Sequence, residues 1–233
     1  MPADKGLFGR VRRSAPGRDS ECGEETITAA LPPGFPAELA WDVLAADGMP
    51  VYVRPIRPDD APRLVEFHDQ LSPETIYFWF FTAHPHLSSR EVERFTQVDY
   101  RDRLALVAER DGQLLGVARY DRVPGTGDAE VAFVVRDAEY GHGLATVLLE
   151  HLAAAASDRG VMRFFAETLP TNSPMQSVFR DAGFKSEQHL DDGVVRVTFP
   201  IEMSAGFVQK VERRAHIADR RSIETLLRPA PWP

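Results

Sequence analysis

The chain has 233 residues, 43% of them hydrophobic, with 27 Lys+Arg against 35 Asp+Glu and a formal charge of −8, which suits one domain or at most two small ones. That acidic balance argues against a nucleic-acid binder that tracks phosphates with a basic face, and no apolar run reaches the length of a membrane span. The start MPADKGLFGRVRRSAPG lacks the apolar core of a secretory signal and Cys22 has no second cysteine to pair with, so a cytoplasmic protein is expected.

Residues 1–36 are rich in Gly, Pro, Arg and Glu without periodicity and read as a disordered arm. The domain is expected over 37–202, with its core at 49–202. That core segment holds 16 basic and 24 acidic residues, so the negative charge sits there, whereas the tail 203–233 has 6 basic and 3 acidic. WDVLA, Asp47-Gly48 and the run Val51 to Ile56 predict a hairpin. A helix follows, opened by Asp59 or Asp60 with Pro62 in its first turn and striped by Leu64, Val65, Phe67, His68 and Leu71. Ser72-Pro73-Glu74 opens a second helix and Ser88 or Ser89 a third. Three strands come next, at 104–110, 113–122 and 129–136, the first two joined by a tight Asp111-Gly112 turn. A long helix from about Gly143 to Asp158 stops at Gly160. The strand RFFAETL, a helix from about Ser173 to Ala182 and a last Asp-Gly hairpin complete the order. It describes an α+β protein, a mixed α/β layer with a mostly antiparallel twisted sheet of about six or seven strands flanked by helices. The tail places Val208, Val211 and Ala215 at helical spacing with arginines between them, which predicts an amphipathic helix.

The segment 128–152 is the most informative, a strand that enters a helix through Tyr140-Gly141-His142-Gly143-Leu144-Ala145. Glycines remove side-chain bulk where an anion must approach the backbone, and the helix start supplies free N–H groups and its dipole. A Gly-x-Gly before a helix also serves turns of no functional meaning. Here, however, the string resembles the pyrophosphate loop Gln/Arg-x-x-Gly-x-Gly/Ala of the Gcn5-related N-acetyltransferase (GNAT) superfamily. Gly143 and Ala145 match, Tyr140 departs at the first position, and His142 puts an imidazole where relatives often carry Arg. A second match is Asn172 through Phe184, with Asn before a helix and Gly-Phe at its end. Strings such as RPIRPDDA, FHDQLSPETIYFWFF and GDAEVAFVV resemble, more narrowly, the acetyltransferase domain of actinobacterial protein lysine acetyltransferases, and the likeness covers about residues 49–202.

The resemblance implies a GNAT fold and acetyl-CoA as co-substrate, without a metal. It places the donor along Phe133, Val134 and Val135, on the loop residues Tyr140, Gly141, His142, Gly143, Leu144, Ala145 and Thr146, and against Asn172, Met175 and Phe179. Relatives often have at the position of Phe179 a Tyr that protonates the leaving thiolate, a role phenylalanine cannot fill. The implied acceptor is a lysine of a protein, typically an acyl-CoA synthetase, handled by a monomer or homodimer. A small-molecule amine transferase and a catalytically weakened acyl-CoA sensor are the alternative readings.

A lysine amine has a reference pKa of about 10.4, so transfer to it needs a base. Strand alternation puts Glu130, Ala132 and Val134 on one face. A carboxylate at the start of an otherwise apolar strand is unexpected, and partial burial there would raise its pKa toward a useful value. An ordinary surface pair at a strand end is the plain alternative. The related lysine acetyltransferases use the Glu of this AEVAF string as the base, a role the resemblance gives to Glu130. Tyr77 to Phe81 form an aromatic run that suits core packing or an acceptor wall. His84-Pro85-His86 has too few ligands for zinc and reads as a loop.

Overall fold

In the computed structural model, residues 31–45 and 48–201 are described. Residues 1–30 of the expected arm, Asp47 of the first turn and the tail 203–233, for which a helix was expected, lie outside them. Packing begins before residue 37, because Phe35 sets its ring edge-on to Tyr100 at 5.6 Å and Pro36 is buried.

Eight strands form a single sheet: β1 (Trp41–Leu44), β2 (Pro50–Pro55), β3 (Arg103–Arg110), β4 (Gln113–Arg122), β5 (Asp128–Val135), β6 (Arg163–Thr168), β7 (Glu187–Asp191) and β8 (Val194–Pro200). Their spatial order is β1-β2-β3-β4-β5-β6-β8-β7, and β5–β6 is the parallel pair in an otherwise antiparallel sheet. The count exceeds the expected six or seven because both edges are short runs that pair fully, four residues in β1 and five in the wholly exposed β7. The two Asp-Gly turns adopt the left-handed geometry their sequence calls for, with φ of 51° and 78° at Asp111-Gly112 and 45° and 80° at Asp192-Gly193.

Among the described residues five α-helices flank the sheet: α1 (Ala61–Asp69), α2 (Pro73–Phe80), α3 (Ser89–Thr96), α4 (Leu144–Asp158) and α5 (Ser173–Asp181). Ser72 and Ser88 cap α2 and α3 by accepting from the amides of Thr75 and Glu91. The alternation of β3 to β5 splits their side chains into two cores. Leu104, Leu106, Ala118, Tyr120, Val131 and Phe133 meet α4 on one face. Ala105, Val107, Val117 and Val134 meet Leu64, Phe67 and Ile76 of α1 and α2 on the other. An ionic knot ties α1 to the sheet. Buried Arg54 makes a two-pronged contact with buried Asp60, both bonds 2.7 Å, and reaches Glu109 at 2.9 Å.

Candidate active site

The site begins where β5 and β6 part. Their pairing runs Asp128↔Arg163, Ala129↔Phe164, Glu130↔Phe165 and goes no further, while β6 continues along β8 as far as Thr168. Beyond Glu130, β5 therefore turns one backbone edge to a cleft. This opens into a cavity of about 620 Å³ whose walls come from β5, the β5–α4 loop, α2 and the start of α5. Such a cavity is of ligand-binding size.

At one end lies the loop before α4. Gly141 and Gly143 have φ of 80° and 72°, a region that costs residues with a Cβ energy, and a Cβ on Gly141 would have nothing within 4 Å. The first bond into the helix is Val147 N–H to Gly143 O, 3.0 Å. The amides of Gly143, Leu144, Ala145 and Thr146 are thus left without a helical acceptor, and they cap the positive end of a fifteen-residue helix. This end can hold an anion. Gly143→Val would force a β-branched residue into left-handed backbone at a cost of about 1–3 kcal/mol. It is expected to weaken CoA binding on the order of 10-fold by titration calorimetry.

Of the residues singled out in the sequence, Phe133, Val134, Val135, Tyr140, Gly141, Gly143, Leu144, Ala145, Thr146, Asn172 and Met175 line the cavity together with Glu130. Two do not. Phe179 is wholly buried, its ring 5.7 Å from Phe133 and 5.2 Å from Phe199, so it supports the wall from behind because α5 turns that position toward the apolar core. His142 lies off the wall, with Nδ1 3.6 Å from Glu139 Oε2. Asn172 has a local task as well, since its Oδ1 accepts from Met175 N–H at 3.2 Å and starts α5.

Glu130, Ala132 and Val134 do share a face, and along β5 they grade from exposed through half-buried to buried. The expected partial burial of Glu130 is not found. Alternation fixed its face correctly, but α1 and α2 cover only the far end of that face, and Glu130 stands on the open cavity floor. Beside it is Arg119, opposite Ala132 in the register. Arg119 is paired with Asp121, which Arg103 also meets at 2.8 Å, and its guanidinium lies 5.5 Å from the Phe95 ring. Phe95 stacks on Trp79 at 5.9 Å. Glu167 of β6 lines the cavity as well, and Glu74 lines it from the first turn of α2, near Tyr140. Arg119 and Glu167 were missed in the sequence, although a charge within the apolar runs of β4 and β6 was the available signal.

The aromatic run divides by helical position. Phe78, Trp79 and Phe81 line the cavity, Tyr77 is exposed, and Phe80 stacks on His84 at 4.2 Å. Among the described residues no group of three or more His, Cys, Asp or Glu side chains is placed to hold a metal, and no helix is long and apolar enough to cross a membrane.

A family model for the acetyltransferase (GNAT) domain matches residues 51–185. Acetyltransferase PA5475 of Pseudomonas aeruginosa is 30% identical over 65% of this chain and 84% of its own length. Acetyltransferase Pat of Mycolicibacterium smegmatis is 31% identical over 57% of this chain, which takes in only 40% of that longer protein. The crystal structure of the GNAT domain of S. lividans PAT superposes with a TM-score of 0.69 at 45% identity, over 71% of this chain and 99% of that one. A putative acetyltransferase of Salmonella typhimurium, yncA, solved with acetyl-CoA, shares the fold at 16% identity and a TM-score of 0.54, over 66% of this chain and 96% of that one. The family model spans more than half of the sequence and the splayed strands and glycine loop enclose one cleft, so this chain belongs to the GNAT acetyltransferase family and is an acyltransferase.

Proposed function

We propose that the chain transfers an acetyl group from acetyl-CoA to the side-chain amine of a protein lysine, with Glu130 taking the proton that the amine must lose and an acyl-CoA synthetase as the favoured class of acceptor. The observation that carries this reading is that the residues whose amides lack a helical acceptor, Gly143 to Thr146, and Glu130 line the same cavity. Acetyl-CoA supplies the activated acyl group. The loop residues from Gly141 to Thr146 would hold its phosphates, and the free edge of β5 would align its arm beside Met175 and Asn172. Glu130 Oε1 or Oε2 receives the proton of the ammonium, directly or through one water. Glu130 and Glu167 set a negative field at the acceptor end that draws cations. Arg119 offsets part of it, since it shares the single Asp121 carboxylate with Arg103 and Arg94. Phe179 is not asked for a proton, because a thiolate is a competent leaving group.

The test is to incubate the purified chain with labelled acetyl-CoA and a cell lysate, then separate protein from small molecules. Label on protein lysines is expected. Label on small amines alone would move the acceptor to another class, and tight CoA binding without transfer would make the chain a sensor.

A further inference from the structure

Tyr140 stands where the resemblance leads one to expect a polar Gln or Arg, and its side chain turns toward α2 as well as lining the cavity. The Asp137 carboxylate accepts from Ser72 N–H at 2.9 Å, from Ser72 Oγ–H at 2.7 Å and from Thr75 Oγ1–H at 2.7 Å. The Tyr140 phenol lies 2.6 Å from Thr75 Oγ1. Thr75 has a single hydroxyl hydrogen, and the carboxylate takes it, so Tyr140 O–H must be the donor in this last bond. A directed chain results, Tyr140 to Thr75 to Asp137, with the buried Thr75 hydroxyl at its centre. Hydrogen bonds that end on a charge are stronger than neutral ones. Burial pushes the Asp137 carboxyl up, but the bonds from Ser72 and Thr75 outweigh it and hold the group ionised below the usual range. Burial likewise raises the Tyr140 phenol, which keeps it a donor.

The chain joins two parts of the site that lie 65 residues apart in sequence. Tyr140 precedes the anion loop. Thr75 sits in the first turn of α2, the helix whose Phe78 and Trp79 wall the acceptor end. We propose that Tyr140 is a positioning residue that couples the two halves of the reaction: a donor seated on the loop holds α2 in place through the Tyr140–Thr75 bond, so donor and acceptor bind with positive cooperativity. The proposal rests on the donor reading given above. A second ligand pays less when the first has already ordered the element it needs, and by linkage the effect runs both ways.

The experiment is hydrogen–deuterium exchange of residues 73–80 with and without CoA, alongside calorimetry of CoA binding, for the wild type and Tyr140→Phe. In the wild type CoA is expected to slow exchange across α2 several-fold. In Tyr140→Phe this protection should fall below about twofold and CoA affinity should fall by no more than about 10-fold, the ceiling that one hydrogen bond sets on the coupling, with exchange in β3 and β4 unchanged. Thr75→Val should reproduce the defect, Thr75→Ser should keep the wild-type behaviour, and the double variant Tyr140→Phe/Thr75→Val should be no worse than Thr75→Val alone. Equal protection of α2 by CoA in wild type and Tyr140→Phe overturns the coupling alone. Failure of the wild type to bind CoA overturns the donor reading together with it.

Discussion

Glu130→Gln is expected to lower kcat by about 10²- to 10⁴-fold, the range that general-base catalysis commands, while CoA affinity stays within about twofold of wild type. The substitution keeps the size and shape of the side chain but removes its capacity to take a proton, so what is lost is lost in the chemical step. In the proposed reading the donor is held by backbone groups from Gly143 to Thr146, and these do not change. Because Glu130 is exposed rather than packed, the fold should not suffer, which calorimetric melting would verify. Steady-state rates and CoA titrations on the same preparation give both numbers. Turnover near the wild-type rate would remove Glu130 from the mechanism.

Asp60→Ala should destabilise the fold by about 3 kcal/mol, near the lower end for breaking a buried ion pair. Besides Arg54, the Asp60 carboxylate receives Arg57 N–H at 2.9 Å and Arg63 at 3.1 Å. Removing it leaves the Arg54 guanidinium, almost wholly buried, with Glu109 and the Pro55 carbonyl as its remaining partners. Glu109 persists in the variant, which keeps the loss from being larger. Burial alone would raise the Asp60 carboxyl, but the bond and charge of Arg54, helped by Arg57 and Arg63, hold it below its ordinary value. A carboxyl depressed in the folded state adds stability that is present above the unfolded pKa of about 3.9 and is lost as pH falls through the folded value. Wild type should therefore lose more stability than Asp60→Ala between about pH 5 and pH 2. Urea unfolding at several pH values measures this, and parallel curves for the two proteins would count against it.

Much of this architecture could be read from local signals. Ser72 and the pair Ser88-Ser89 marked two helix starts, Asp111-Gly112 and Asp192-Gly193 marked two hairpins, and the glycines at 141 and 143 marked the turn into α4, because each of these depends on residues only a few positions apart. Signals that depend on distant packing were out of reach. Alternation assigned Glu130 to its face, yet whether that face is covered depends on where α2 ends and where β6 leaves β5, so its exposure was not foreseen. Phe179 looked like a donor contact by its place in the motif, whereas the turn of α5 sends it between Phe133 and Phe199. Tyr140 looked like a lost contact, and its partners Thr75 and Asp137 could not be found without the fold.

Acetyl transfer to protein lysine with Glu130 as base is tested most directly by mass spectrometry of an acyl-CoA synthetase incubated with acetyl-CoA and the chain. Acetylation of specific lysines by the wild type, reduced to the background of an enzyme-free control with Glu130→Gln, is the predicted result. Lysines that stay unmodified with the wild type, or are modified equally by both proteins, would contradict it.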